Sequence, residues 1–420
     1  MSETNQASTA SLTTADGVDL KTSLQRAERR SRRRAFLLVL PLLLFLMIAF
    51  VFPILDMLKR SVENPEVSTL MPNTVVELAD WDGDSLPNEE AFVALHRDLV
   101  AGRESRKIGK VATRLNYERS GMRSLIMKSS RRAKRLEPPY QAAFIDLDEE
   151  WGDPTLWRLI KRESKPYTFS YYLSAIDRQY SDTGEIEAKP EYQQIYIQLF
   201  LRTLWMSMLI TFLCLLLGYP VAYLLANLPM RYSNLLMILV LLPFWTSLLV
   251  RTATWIAILQ QQGVLNDILV SLHILTEDTR AQLIYNKTGT IIAMTHILLP
   301  FMILPLYSVM KTVPPSYMRA ARSMGASPLL AFRRVYFPQT IPGIGAGSIL
   351  VFILAIGYYI TPVLVGGQGG QFITNYVAYH MQTSLNWGLA AAIASILLFV
   401  VIIFYAVYNR MIGVDKVKLG

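Results

Sequence analysis

Residues 35–58 read AFLLVLPLLLFLMIAFVFPILDML, a stretch whose single charged side chain, Asp56, comes near its end. A helix rises about 1.5 Å per residue, so about 20 apolar residues match the roughly 30 Å hydrocarbon core of a bilayer. Five more blocks of this kind follow: Leu199–Ala226, Leu235–Leu259, Thr290–Met310, Ile341–Val365 and Leu389–Tyr408. The 420 residues are 52% hydrophobic and 17% charged, too apolar for a soluble domain of this length. Only closed backbone hydrogen bonding survives in lipid. The blocks therefore predict an all-α membrane protein with six transmembrane helices.

The placement of charge sets the predicted orientation. Arg26, Arg29, Arg30, Arg32, Arg33 and Arg34 directly precede the first block. Lys311, Arg319, Arg322, Arg333 and Arg334 lie between blocks four and five with no acidic residue among them. Short loops rich in Lys and Arg stay in the cytoplasm, which puts both termini inside. The net charge of +9 is then an orientation signal, and no nucleic-acid partner is expected. A cleaved signal peptide is a poor reading, because residues 35–58 are too long and no small-x-small site follows. The expected organisation is a basic cytoplasmic tail at 1–34, whose first 20 residues read as disordered, and crossing one at 35–58. An extracytoplasmic insert at 59–198 follows, then crossings two to six at 199–410 with a cytoplasmic loop at 311–340, and a tail at 411–420. Cys214, the one cysteine, sits in an apolar block and reads as structural.

The insert is too long to be structureless. Asn88 with Glu89 and Glu90 makes a helix start before an apolar stripe at Phe92, Leu95 and Leu99. Ile108, Val111 and Leu115 continue as a second helix, and Pro138–Pro139 separates a basic run from an acidic one. The insert is therefore expected to be mostly helical, either a solvated spacer or a docking surface for an extracytoplasmic protein. Gly366, Gly367, Gly369 and Gly370 lack the trailing Lys-Ser/Thr of a phosphate loop and read as a flexible turn.

The informative polar stretch is residues 314–338, PPSYMRAARSMGASPLLAFRRVYFP. It predicts a short helix begun by Pro315 and Ser316, a stop at Gly325, a second short helix from Pro328, and a proline before the next crossing. Met318, Ala321, Arg322 and Met324 would form a small face suited to a groove on another protein. This segment resembles the coupling loop of binding-protein-dependent ABC importer permeases: Glu-Ala-Ala, three residues, Gly, nine residues, an aliphatic, one residue, Leu-Pro. Ala320, Ala321, Gly325, Val335 and Pro338 fall at the required spacings, with Arg319 in place of the usual Glu and Phe337 in place of Leu. LGYPVAYL at 217–224, PFWTSLLVR at 243–251, GVLN at 263–266 and LPFMILPLY at 299–307 are similar to the spermidine/putrescine permease branch. The core of the insert has no counterpart in that resemblance.

The resemblance implies the ABC importer permease fold, a bacterial inner-membrane location, and pairing with a second permease subunit, most simply as a heterodimer. It implies two ATPase subunits that carry the ATP and Mg, a periplasmic solute-binding protein, and a polyamine cargo such as putrescine or spermidine. The ATPase-coupling residues would be Arg319, Ala320, Ala321, Arg322, Gly325, Ala326, Val335 and Pro338. This chain has no Gly-x-x-x-x-Gly-Lys-Ser/Thr sequence, so no cofactor is expected on it. No catalytic residue, nucleophile, acid pair or metal cluster is read, and no enzyme activity is expected.

Trp245, Arg251, Trp255, Tyr358 and Tyr359 are the candidate pathway residues. Arg251 reads either as an interface anchor or as a pathway lining. The tyrosines could hold ammonium groups by cation–π attraction or simply sit at an interface. His296 reads as a packed, hydrogen-bonded histidine rather than a proton relay. Two alternatives remain at this stage: an ion-coupled secondary transporter, and an ABC permease for a different small solute. Crossings two to six contain no Asp or Glu, which counts against ion coupling.

Overall fold

A computed structural model of the chain describes residues 20–412. The tails read at 1–20 and 411–420 fall almost wholly outside the described residues. The fold divides after Lys59. In the first unit the helix begins at Leu20, so the basic run is helical and continuous with crossing one instead of forming a separate tail. No breaker lies between Leu20 and Ala35, and Arg32 reaches Glu28 one turn back at 2.5 Å. A π-turn at Met47–Val51 precedes Pro53. Proline lacks the N–H that an α-helix needs, and a shift to wider hydrogen bonding just before it absorbs the misfit.

In the second unit, long helices at Tyr196–Asn227, Lys287–Thr312, Pro328–Gly357 and Trp387–Ile412 are crossings two, four, five and six. Crossing three differs from the expected continuous helix. It is a pair, Met230–Trp245 and Leu248–Ser271, bent by 98°. Pro243 lies in a 3-10 turn at Leu242–Trp245, and Ser247 restarts the helix by accepting the Val250 N–H at 3.1 Å. Crossing five also departs from its expected limits. The short helix at Pro328–Ala331 does not end before the crossing but passes through a π-turn at Phe332–Tyr336 into Phe337–Gly357. Pro338 again lies just beyond the π-turn, after Phe337.

Crossings two, four and five pack around one buried cluster that includes Met206, Cys214, Met302, Leu306 and Val351. Cys214 is fully buried. The helices approach closely where small residues allow it: a Cβ on Gly343 would stand 3.0 Å from Val309 Cβ and 3.3 Å from the Leu306 backbone. The glycine run after crossing five corrects the expected flexible turn. Gly366 and Gly370 are buried, and Thr290 donates to the Gly370 carbonyl at 3.2 Å. A Cβ on Gly366 would stand 2.6 Å from the Pro362 carbonyl oxygen, so the run is a tightly packed turn.

Between crossings one and two, helices such as Glu89–Glu104, Ile108–Glu118, Met122–Arg132 and Pro154–Glu163 enclose a separate core. Phe92, Phe144, Trp151 and Trp157 are fully buried in it, with Phe92 and Trp157 ring centroids 4.6 Å apart. Asn88 caps its helix by accepting the Ala91 N–H. The entry and exit strands of this domain are paired: Asn64 N–H donates to Pro166 O and Thr168 N–H to Val62 O, each at 2.8 Å. A buried ion cluster locks the same neck. Arg114 donates to Glu163 at 2.5 Å, to Glu118 at 2.8 Å and to the Asn64 side chain at 2.7 Å. Burial opposes the Arg114 charge, but Glu163, Tyr171 and Glu118 outweigh it and raise its pKa.

A small hairpin, Arg178–Tyr180 with Ile186–Ala188, follows. Asp177 caps the start of crossing two, accepting N–H groups of Ile195, Tyr196 and Ile197 at 2.8–3.0 Å. Tyr171 packs against Gly388 so closely that a Cβ there would meet its ring at 2.4 Å. Tyr117 donates to the Ser384 carbonyl at 2.9 Å. His380 ties the start of crossing two to the segment before crossing six, bonded to the Tyr196 hydroxyl at 2.7 Å and the Ser384 hydroxyl at 2.8 Å. The insert is thus fixed to one end of the helix bundle, and residues 311–340 lie at the other.

Two predictions follow from these contacts. Arg114→Met should leave the buried Glu163 with Arg162, 2.9 Å away, as its remaining ion-pair partner, destabilising the chain by up to about 3–5 kcal/mol. The loss would be seen as a lower unfolding temperature in detergent, and adding Glu163→Gln should recover part of it. Burial, then the charge of Lys189, hold His380 down at about 4, so the folded chain keeps it neutral. Its unfolded value is about 6.5. The stability it contributes is full above about pH 6.5 and is lost as the pH falls towards 4. Unfolding temperature measured across that window should fall less steeply for His380→Gln than for the wild type.

Candidate functional site

The loop at residues 311–340 is built by short-range signals. Pro315 opens a helix that runs to Ser323. Gly325, at φ +89°, turns the chain through the left-handed region, and the Ala326 N–H donates back to Ala321 O at 3.1 Å. Ser327 caps the next helix by accepting the Leu330 N–H at 3.3 Å.

The face that these helices present is only partly the one read from the sequence, since Arg322 and Met324 are exposed but Met318 and Ala321 are not. Ala321 is 5% exposed and Met318 is half-buried, both turned into the protein. The exposed surface carries Met324, 83% exposed, with Tyr317, Arg319, Ala320, Arg322, Gly325, Leu329, Arg333, Arg334 and Pro338. Ala326 and Val335 are half-buried. An amphipathic segment must bury one side, and spacing alone did not say that Met318 and Ala321 were on it. The surface left over is basic, with an exposed methionine and leucine. It can dock into a partner's groove and contribute charge, but it holds no nucleophile or metal-ligand set.

An aromatic group ties this loop to crossing two. Tyr219 and Tyr223 meet Phe332 edge-on at 6.3 and 5.8 Å, and Tyr223 meets Tyr336 at 5.3 Å. The Tyr219 hydroxyl lies 3.1 Å from that of Thr340. These contacts explain the Gly-Tyr-Pro stretch at 218–220, whose tyrosine serves the loop. The Gly-Val-Leu-Asn stretch has a structural reason as well. Asn266 is fully buried and brackets the chain, donating to Gln260 O and Ala281 O and accepting the Ala281 N–H at 3.0 Å.

The pathway candidates separate into groups. Trp255 donates its indole N–H to His296 Nδ1 at 3.1 Å. That nitrogen therefore carries a lone pair, and His296 is neutral with its proton on Nε2. The Nε of Arg251 is buried with no hydrogen-bond partner among the described residues. Trp245 ends the half-helix before the bend and is 74% exposed. Tyr358 and Tyr359 mark a true break: the helix stops at Gly357 and restarts at Ile360. The carbonyls freed there are taken by Thr374, which donates to Tyr358 O at 2.7 Å, and Asn375, which donates to Tyr359 O at 2.6 Å. Thr374 and Asn375 carried no signal in the sequence, since only the fold brings them to the break. An uncompensated guanidinium repels a second cation at about 4 Å by roughly 4 kcal/mol at an effective dielectric near 20.

Residues 215–412 match the family model described as binding-protein-dependent transport system inner membrane component. The spermidine/putrescine transport system permease protein PotB of Escherichia coli (strain K12) is 36% identical over 216 residues, 51% of this chain and 78% of that one. Its namesake in Haemophilus influenzae is 35% identical over 231 residues, 54% of this chain and 80% of that one. The inner membrane ABC transporter permease protein YdcU of Escherichia coli (strain K12) is 34% identical over 232 residues, covering 52% and 72%. The matched stretch includes the loop, the broken crossings and the packed glycine turn described above. This chain belongs to the binding-protein-dependent transport system inner membrane component family, the permease subunits of ATP-binding-cassette importers.

Proposed function

We propose that this chain is one of two permease subunits of an ATP-driven bacterial importer whose cargo is a polyamine such as putrescine or spermidine. The cargo is supported by the 35–36% identity to permeases named for those amines. The observation that carries the mechanical reading is the projecting helix Pro315–Ser323 with its turn at Gly325. Its exposed arginines and Met324 suit a groove on an ATPase subunit. In this reading two such subunits bind the ATP and Mg and grip one loop each. Closure of the ATPases then displaces the loop, and the aromatic contacts to Tyr219 and Tyr223 pass the motion to crossing two. Ala321 acts from inside, as the small residue that lets the loop helix lie close. Both termini lie in the cytoplasm, and the insert faces the side from which a binding protein delivers solute.

The reading is tested on the full importer in cells. Gly325→Asp meets nothing within 4 Å at its Cβ, but at φ +89° an L side chain strains the backbone, so it disturbs the turn itself. Met324→Asp alters the same face and leaves the turn intact. Each should lower putrescine uptake more than tenfold and reduce recovery of the ATPase with the tagged chain, while its amount in the membrane stays constant. Normal uptake by both variants would show that this surface is not where the ATPase docks.

A further inference from the structure

Arg251 stands in the first turn of the half-helix Leu248–Leu259, directly after the 98° bend in crossing three. Its Nε is buried without a partner among the described residues, and the one carboxylate within crossings two to six, Asp267 near the far end of crossing three, is already paired with Arg280 at 2.7 Å. His296 cannot meet the charge as an anion or share a proton with it, because its Nδ1 accepts from Trp255. Alongside, Trp245, Leu249 and Val250 are 58–74% exposed. An arginine beside irregular backbone is a poor surface to leave against lipid. A protein that covers it must bring negative charge, since a cation buried without a counter-charge is the costly arrangement. Within its crossings a second copy of this chain would offer only Asp56 and Asp267, and each already has an interaction of its own.

We propose that this face of crossing three docks on a second, non-identical membrane subunit, which presents an Asp or Glu carboxylate to the Arg251 guanidinium. The ion pair removes the repulsion that a cationic cargo would meet at Arg251. In that respect alone the inference rests on the proposed function.

The full importer is expressed with a tag on this chain. Two quantities are read: recovery of the second membrane subunit with the tagged chain in detergent, and putrescine uptake by the cells. Arg251→Lys should keep both near the wild-type level. Arg251→Glu should reduce both more than tenfold, and replacing one intramembrane carboxylate of the second subunit by Lys should restore them. A pair of neutral changes, Arg251→Gln with that carboxylate→Gln, should recover more of the partner than Arg251→Glu alone, which separates pairing from misfolding. The proposal is overturned if Arg251→Glu recovers the partner at the wild-type level, if no carboxylate reversal rescues it, or if the tagged chain recovers a second copy of itself instead. Wild-type cells that take up no putrescine would refute the cargo, whereas partner recovery would still decide the pairing.

Discussion

Helices in a bilayer gain little from burying apolar side chains against one another, because lipid is equally apolar. What holds crossings two, four and five together is close contact along the line of Met302 and Leu306, where Gly218, Gly343 and Gly347 admit the neighbouring helix. A Cβ on any of the three would approach a neighbour to 3.3 Å or less. Both ends of the second unit are referred to this seam through crossing two. Crossing two continues from it to Asn227, where Tyr219 and Tyr223 hold the loop, and in the other direction to Tyr196, where Asp177 caps it and His380 is bonded to it.

The second constraint is the satisfaction of backbone groups wherever a helix breaks at membrane depth. Each break is met by a specific neighbour. Thr374 and Asn375 take the carbonyls at Tyr358 and Tyr359, and Ser247 takes the amide after the bend in crossing three. The two π-turns do the same work within a helix, each sitting just before a proline. Breaks held in this way are rigid features of the bundle.

Long apolar blocks made the membrane class and most crossings legible, because hydrophobic length is a local property. The start of the loop helix, its Gly325 turn and the Asn88 cap were legible for the same reason, since each depends on a few adjacent residues. The bend in crossing three was not, although Pro243 lay in plain view: whether proline kinks, breaks or is absorbed depends on what packs around it. Nor could spacing place Ala321 inside, because burial of a two-sided helix is decided by what packs against it, here the π-turn at Phe332–Tyr336, rather than by the helix. The neck of the insert was least legible, as its central contact joins Asn64 to Glu163 across 99 residues.

The insert is more than an appendage carried on one loop. Its paired stem and the Arg114–Glu163 cluster make it rigid, and Tyr171, Tyr117 and Asp177 fasten it to the bundle at separate points. Tyr171 bears on Gly388, next to the first residue of crossing six, and Asp177 holds the first turn of crossing two. Those two crossings cannot move apart at this end without breaking one of these contacts. At the opposite end the loop is welded to crossing two by aromatic rings. A displacement applied at residues 315–325 would therefore arrive at the insert end through crossing two as a stiff rod, where Asp177 and His380 would oppose it. The same body that closes one end of the bundle thus sets how far a push from the other end can travel.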